Sequence, residues 1–259
     1  MIATRAGSRE ILPGFSRKAH DWLILPDGDE KPILQEYCSE GAELLVVDHY
    51  GLDAKFGAAL RPWTKWVLAI DDLADRPYDA DILLDPTFGR DVAAYHDLVP
   101  EHCQMLLGPQ FALLRPAFTN KREGAINRRK NGKRPLCLLI SLGAGNSGEL
   151  AARIASHVVE RDHDVIVNIV HGAEQTRALA TRHNRITEHG MVCDMAGLMA
   201  AADLSVGAAG GTSWERCCLG LPSVIVSLAN NQREIGAALT AAGAVDYVEI
   251  EGQTDQAAA

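Results

Sequence analysis

Leu136-Cys137-Leu138-Leu139-Ile140-Ser141-Leu142-Gly143-Ala144-Gly145-Asn146-Ser147-Gly148 decides the fold class. Its first five residues form an apolar run too short for a typical helix and suited to a strand buried on both faces. The glycines then turn the chain, and residues 149–160 carry helix-period apolar positions. Strand, glycine turn and helix together make one βα unit of a parallel sheet.

The same alternation continues toward the C-terminus, with strands expected at 164–170, 185–188, 204–206 and Ser223–Ser227 and helices near 195–202, 213–219 and 233–242. Toward the N-terminus, residues 44–48, 66–71 and Ile82–Asp85 read as buried strands, each ending on an aspartate, with a helix over 53–60. The pattern predicts an α/β chain of two Rossmann-like domains whose parallel sheets face a central cleft, with ligands at the C-terminal strand ends. Residues 124–135 hold Arg128-Arg129-Lys130, Lys133 and Arg134 without apolar periodicity. They read as a solvated linker over 121–134 between domains 1–120 and 135–259. Both ends read as abrupt: Met1 to Arg5 resembles the tail of a strand, residues 252–259 a polar stub, and pieces are expected to be missing at both termini.

Composition narrows the function classes. With 259 residues, 47% apolar and 23% charged, the chain can bury a sizeable core. A net charge of −9 leaves no basic stripe for a nucleic acid or an anionic membrane. Six cysteines without C-x-x-C spacing read as reduced core thiols, and nine histidines without ligand spacing predict no metal. No cofactor is expected. No apolar run approaches the roughly 20 residues of a spanning helix, so no stable membrane insertion is expected and the reading is cytoplasmic. Oligomeric state is not legible.

Chemistry concentrates in a few strings. Gly207-Ala208-Ala209-Gly210-Gly211-Thr212-Ser213-Trp214-Glu215 follows a strand and opens a helix, the arrangement of a phosphate seat built from close backbone approach and free N–H groups. Thr212 and Glu215 also have capping-box spacing, which would explain both without a ligand. The loop from Gly143 to Gly148 is a weaker signal, and lacking dinucleotide spacing it argues against NAD. Asp48-His49-Tyr50-Gly51 sets a carboxylate, an imidazole and a phenol at one strand end, and Asp71-Asp72 lies at the next. Asn231 and Gln232 offer amides to sugar hydroxyls or a cap to the last helix. Trp214 and Leu219 read as core.

The strings Val47-Asp48-His49-Tyr50-Gly51, Ile70-Asp71-Asp72, Leu106-Leu107-Gly108-Pro109-Gln110-Phe111-Ala112-Leu113-Leu114-Arg115, Gly210-Gly211-Thr212-Ser213-Trp214-Glu215-Arg216-Cys217-Cys218-Leu219-Gly220-Leu221-Pro222 and Asn231-Gln232 occur in that order. In this the chain resembles the UDP-sugar hydrolases of pseudaminic acid biosynthesis, relatives of MurG-type glycosyltransferases. The resemblance implies a GT-B fold and metal-free hydrolysis of UDP-2,4-diacetamido-2,4,6-trideoxy-β-L-altropyranose, with water attacking the anomeric carbon and inverting it. It implies that Gly210, Gly211, Thr212 and Ser213 hold the diphosphate, Glu215 the ribose, and Asn231 with Gln232 the sugar, while Tyr50 lines the reaction centre. The family's histidine in a glycine-rich N-terminal loop has no counterpart in Met1 to Arg5, and His20 does not sit in such a loop. The preferred reading is an incomplete enzyme, with His49 as substitute base or binding without turnover as alternatives. A UDP-sugar-dependent glycosyltransferase and an inactive nucleotide-sugar binding module are the competing functions.

Overall fold

The computed structural model describes residues 1–5, 21–26, 30–132, 135–143, 147–172, 183–190, 192–228 and 231–249. Two compact units divide the chain, Met1–Leu113 and Leu114–Ala259.

The first unit contains β1 (Ile2–Arg5), β2 (Trp22–Leu25), α1 (Lys31–Tyr37), β3 (Ala42–Val47), α2 (Ala54–Leu60), β4 (Thr64–Ile70), β5 (Ile82–Asp85) and β6 (Gln104–Leu107). All its strand pairs are parallel, in a two-stranded sheet β1-β2 and a four-stranded sheet β3-β4-β5-β6. Asp53 starts α2 by accepting from the Lys55 N–H at 2.9 Å. Val67, Ala69, Leu83 and Tyr95 form its buried centre.

The second unit opens with α3 (Pro116–Lys130) and continues through β7 (Leu136–Ser141), α4 (Gly148–Arg161), β8 (Val165–Val170), β9 (Ile186–His189), α5 (Met195–Ala201), β10 (Leu204–Ala208), α6 (Thr212–Cys218), β11 (Ser223–Ser227), α7 (Asn231–Ala241) and β12 (Asp246–Glu249). Its six parallel strands run β12-β11-β10-β7-β8-β9. Numbered within the unit this is 3-2-1-4-5-6 read from the far edge, the doubly wound order. Helix α4 buries Ala151, Ala155 and Val159, four residues apart, against Leu138, Ile140 and Ile169 of the sheet.

Residues 121–130 of the expected linker belong to α3, and the boundary between units falls at Leu113–Leu114, ahead of 121–134. Pro116 at the first helical position and three basic residues in the last turn suit a helix, but only Phe118 and Ala125 are buried, so no apolar stripe marks it. Arg128 and Arg129 are not part of a solvated run, whereas Lys130 is exposed and Lys133 and Arg134 lie outside the described residues. Arg128 donates to the carbonyls of Ala200 (3.1 Å) and Ala202 (2.5 Å) and pairs with Asp203, while Arg129 donates to Ala202 (3.0 Å) and to Leu219. Arg122 reaches the carbonyls of Cys217 and Cys218. These carbonyls lie at the C-terminal ends of α5 and α6, where the helix leaves acceptors over, and the arginines donate to them; that of Cys217 also accepts from the Gly220 N–H at 3.0 Å.

Trp214 and Leu219 are buried as expected. The cysteines depart from the core reading: Cys103 is buried, but Cys193 and Cys217 are exposed. Residues 252–259 and His20 lie outside the described residues.

Candidate functional site

In the second unit, β10 and β7 are neighbours, with Gly207 paired to Ser141. Between them the strand order reverses, and open α/β sheets bind ligands at this switch point, beyond the C-terminal strand ends. The turns that follow the two strands are the two glycine loops of the sequence. Gly143 has φ +90°, in the left-handed region, with open space where a Cβ would stand. Residues 144–146 of that loop lie outside the described residues. Gly210 and Gly211 likewise have nothing within 4 Å of a built Cβ.

The turn after β10 closes through Ser213 N–H to Gly210 O (2.8 Å) and Trp214 N–H to Gly211 O (3.1 Å). Among the described residues, the N–H groups of Gly210, Gly211 and Thr212 have no backbone acceptor. They are free donors at the mouth of the loop.

Beneath this loop lies Arg216, 2% exposed. Its guanidinium donates to Ala208 O (2.7 Å), Ser213 Oγ (3.0 Å) and Thr212 Oγ1 (3.1 Å), while its Nε has no partner among the described residues. No carboxylate pairs with it among those residues; burial lowers its pKa to about 10, opposed by the charges of Cys217 and Glu215. A buried cation without an anion is costly. Gly207 is required by the same side chain, because a Cβ there would stand 2.3 Å from Arg216 Nη1.

The capping box does not form. Gly211 is the N-cap and no side chain caps the helix, so Thr212 is one position too late for the role. Glu215 instead lies 3.8 Å from Arg115, with its carboxyl raised by burial against the opposing charges of Arg115 and Arg216. Of the four residues expected on the diphosphate, Ser213 faces inward: it is 1% exposed and its hydroxyl is held by Arg216. Gln232 uses its Oε1 to accept from Leu228 N–H at 3.0 Å, tying the start of α7 to the end of β11. Asn231 begins α7, but its side chain lies outside the described set. The sequence reading missed His171, buried just past β8 with Nε2 3.0 Å from Glu188.

In the first unit the strand ends hold a polar network. Asp71 is 3% exposed and accepts from Tyr78 (2.7 Å), Tyr95 (2.8 Å) and the Ala74 N–H (2.8 Å), with Arg76 at 3.3 Å. Burial works against its charge, but these donors outweigh it and hold the carboxyl below its ordinary value. Asp85, fully buried, accepts from Arg90 (2.6 Å), Tyr95 (2.9 Å) and the Thr87 N–H (2.8 Å). Asp71, expected at the substrate, thus spends both oxygens inside its own unit.

Asp72 points the other way. Its Oδ2 accepts from Tyr50 at 3.2 Å, and its buried Oδ1 has no partner among the described residues. Burial raises its pKa, the charges of Asp71 and Asp85 add to that, and the Tyr50 hydrogen bond and Arg90 oppose it. The exposed Tyr50 phenol is pushed up to about 12, by desolvation first and then by Asp72, so it remains a donor near neutrality. His49 Nδ1 accepts from the Gly51 N–H at 2.9 Å, which puts the proton of the neutral ring on Nε2. The outward nitrogen is then a donor, and this geometry does not suit His49 as a base. Asp48 is exposed beside it. Arg76 was not foreseen: it reaches the carbonyls of His49 and Leu52 and lies over the rings of Tyr50 and Tyr78.

No family model matches the chain. An uncharacterized protein of Methanocaldococcus jannaschii is 23% identical over 222 residues, 82% of this chain and 46% of the relative. The spore coat polysaccharide biosynthesis protein SpsG of Bacillus subtilis is 25% identical over 209 residues, 77% and 60% of the two chains. The UDP-2,4-diacetamido-2,4,6-trideoxy-beta-L-altropyranose hydrolase of Campylobacter jejuni is 31% identical over 120 residues, 46% and 41%. The chain spans about half the length of the curated relatives it matches. Among solved structures, Acinetobacter baumannii MurG superposes with a TM-score of 0.53 at 16% identity, over 95% of this chain and 85% of that one. S. aureus MnaA, solved with UDP, gives 0.57 at 13%, over 96% and 74%.

The chain has the GT-B fold. The second unit has the doubly wound strand order of a Rossmann-like domain, with both glycine turns at its switch point. Among the described residues, no helix is long and apolar enough to cross a membrane, and no cluster of three or more histidine, cysteine or acidic side chains could hold a metal ion.

Proposed function

We propose that the second unit seats the uridine and diphosphate of a UDP-sugar, and that the chain serves hydrolysis of a UDP-linked 2,4-diacetamido-2,4,6-trideoxy sugar on the way to a nonulosonic acid. The carrying observation is the buried Arg216, unpaired with any carboxylate among the described residues, beneath the free N–H groups of Gly210, Gly211 and Thr212. In this reading those three residues and Gly143 hold the phosphates, Glu215 accepts from the ribose, and Asn231 with Gln232 faces the sugar. Asp48, Tyr50 and Asp72 belong to the reacting end, where Tyr50 remains a donor and the Asp72 carboxylate that accepts from it is the acceptor for the proton of the attacking water.

The chemistry asks little beyond placement and charge. Water attacks the anomeric carbon, the bond from that carbon to the phosphate oxygen breaks, and UDP leaves with the bonding pair. Charge growing on the diphosphate is met by fixed N–H dipoles and the Arg216 guanidinium, which need no reorganisation. The Campylobacter relative, at 31% identity, supports hydrolysis over transfer.

An NMR time course of the chain with the UDP-linked diacetamido sugar tests the proposal. Release of UDP with an inverted free sugar is expected. Turnover only after adding a second sugar as acceptor would favour a glycosyltransferase, and broadened uridine signals without turnover would favour a binding module.

A further inference from the structure

Glu215 lies in the first turn of α6 with a side chain 18% exposed, and no hydrogen bond reaches its carboxylate among the described residues. A carboxylate in such surroundings has several rotamers open to it and a burial cost on its charge. The ion pair with Arg115, Nη2 to Oε1 at 3.8 Å, is the contact that limits both. Burial raises the Glu215 carboxyl, and of the two charges that oppose burial Arg115 is the larger influence, ahead of Arg216.

Arg115 is itself fixed from several sides. It is the N-cap of α3, extended at φ −64° and ψ 139°, and Pro116 after it keeps its backbone out of the helical region. Its guanidinium lies 5.2 Å over the ring of the fully buried Phe118, and its Nη1 donates to Cys193 O at 3.5 Å, just ahead of α5. One nitrogen thus serves that turn and the other serves Glu215, a division that a planar fork allows and a single ammonium does not. About two turns further along the same face of α3, Arg122 donates to the carbonyls of Cys217 and Cys218, at the far end of the helix that carries Glu215. Helix α3 therefore holds α6 at both ends, by its C-terminal carbonyls and by its first-turn carboxylate.

We propose that Arg115 is a positioning residue of the nucleotide seat: it holds the Glu215 carboxylate in the orientation that accepts from a ribose diol, and so sets the preference for a ribonucleoside diphosphate over its 2′-deoxy counterpart. This role rests on the reading of Glu215 as the ribose acceptor. An ionised carboxylate is acceptor-only and has two oxygens, which suits the two hydroxyl donors of a ribose. Arg115 touches no part of the ligand; it acts through Glu215 alone. Removing it frees the carboxylate to turn, and the hydroxyls lose a fixed, charged acceptor while the phosphates keep their donors.

Calorimetric titration of the whole chain with UDP and with 2′-deoxy-UDP tests this in the parent, Arg115→Met, Arg115→Lys, Glu215→Gln and the double variant Arg115→Met/Glu215→Gln. The parent is expected to bind UDP roughly tenfold more tightly than 2′-deoxy-UDP, the order of one charge-assisted hydrogen bond. Arg115→Met should cut that ratio to about threefold or less by weakening UDP, and Arg115→Lys should fall between the two, because it keeps the charge without the fork. The double variant should match Glu215→Gln, because Arg115 has no route to the ligand except that carboxylate. Three results would overturn the proposal: a ratio unchanged in Arg115→Met, equal loss for both nucleotides, which marks a structural role only, or a double variant below Glu215→Gln. A ratio that Glu215→Gln leaves unchanged would remove the ribose role of Glu215 and this role of Arg115 with it. A ratio lowered by Glu215→Gln but not by Arg115→Met would remove the role of Arg115 alone.

Discussion

Replacing Arg216 by methionine separates a residue kept for a ligand from one kept for the fold. Burial that lowers its pKa from 12.5 to about 10 corresponds to a cost near 3 kcal/mol, at about 1.36 kcal/mol per unit. Arg216→Met removes that cost and also removes three hydrogen bonds, each worth about 1 kcal/mol. The two effects nearly cancel, so the free protein is expected to melt within roughly 4 °C of the parent. Binding has no such cancellation. Loss of a buried charge facing a diphosphate costs about 2 to 3 kcal/mol, a roughly 30- to 150-fold rise in Kd for UDP by calorimetry, with uridine affinity little changed. The reasoning is refuted if the variant loses more than about 4 kcal/mol of stability while its Kd for UDP is unaltered, because Arg216 would then be a structural cation only.

Other substitutions test neighbouring steps. Glu215→Gln should raise the stability of the free protein at pH 7, since a carboxyl held above its unfolded value favours folding only while protonated. The gain should vanish as pH falls through the carboxylate range, and chemical denaturation at several pH values checks it. Tyr50→Phe should slow sugar release roughly tenfold for one lost hydrogen bond while leaving the Kd for UDP unchanged. With Tyr50 titrating near 12, it keeps its proton and its bond to Asp72 until the pH approaches 12, while its contribution to stability is fully present below pH 10 and is lost as the pH rises to 12; an ultraviolet titration of tyrosinate in parent and variant follows the first. Tyr95→Phe removes the one hydroxyl proton that the buried Asp71 and Asp85 share and should cost about 2 to 3 kcal/mol in denaturant unfolding, again without altering UDP affinity.

The parts of this fold that were legible in the sequence are those written as a continuous apolar run: β3, β4, β5, β7 and β11 stand within two residues of expectation, although Leu44 and Val46 of β3 and Trp66 of β4 are about half exposed and not buried as expected. Short strands such as β2, β6 and β12 carry no such run, and α3 hides because its docking uses arginines on helix-end carbonyls instead of an apolar stripe. At the site, the glycine loops were readable as turns, but their meeting at one switch point depends on strand order, which sequence spacing does not encode. Asp71 and Asp72 looked equivalent; consecutive residues at a strand end point opposite ways, and only the first was drawn into the buried network. Arg216 gave no signal because arginine is seldom buried without a partner.

The central claim is that the switch point of the second unit holds a diphosphate, and an amide NMR titration with UDP addresses it most directly. The account predicts the largest shifts at Gly210, Gly211 and Thr212, a response at Gly143, and much smaller shifts at all of these with uridine alone. Shifts confined to the first unit, or equal responses to uridine and UDP, would contradict it.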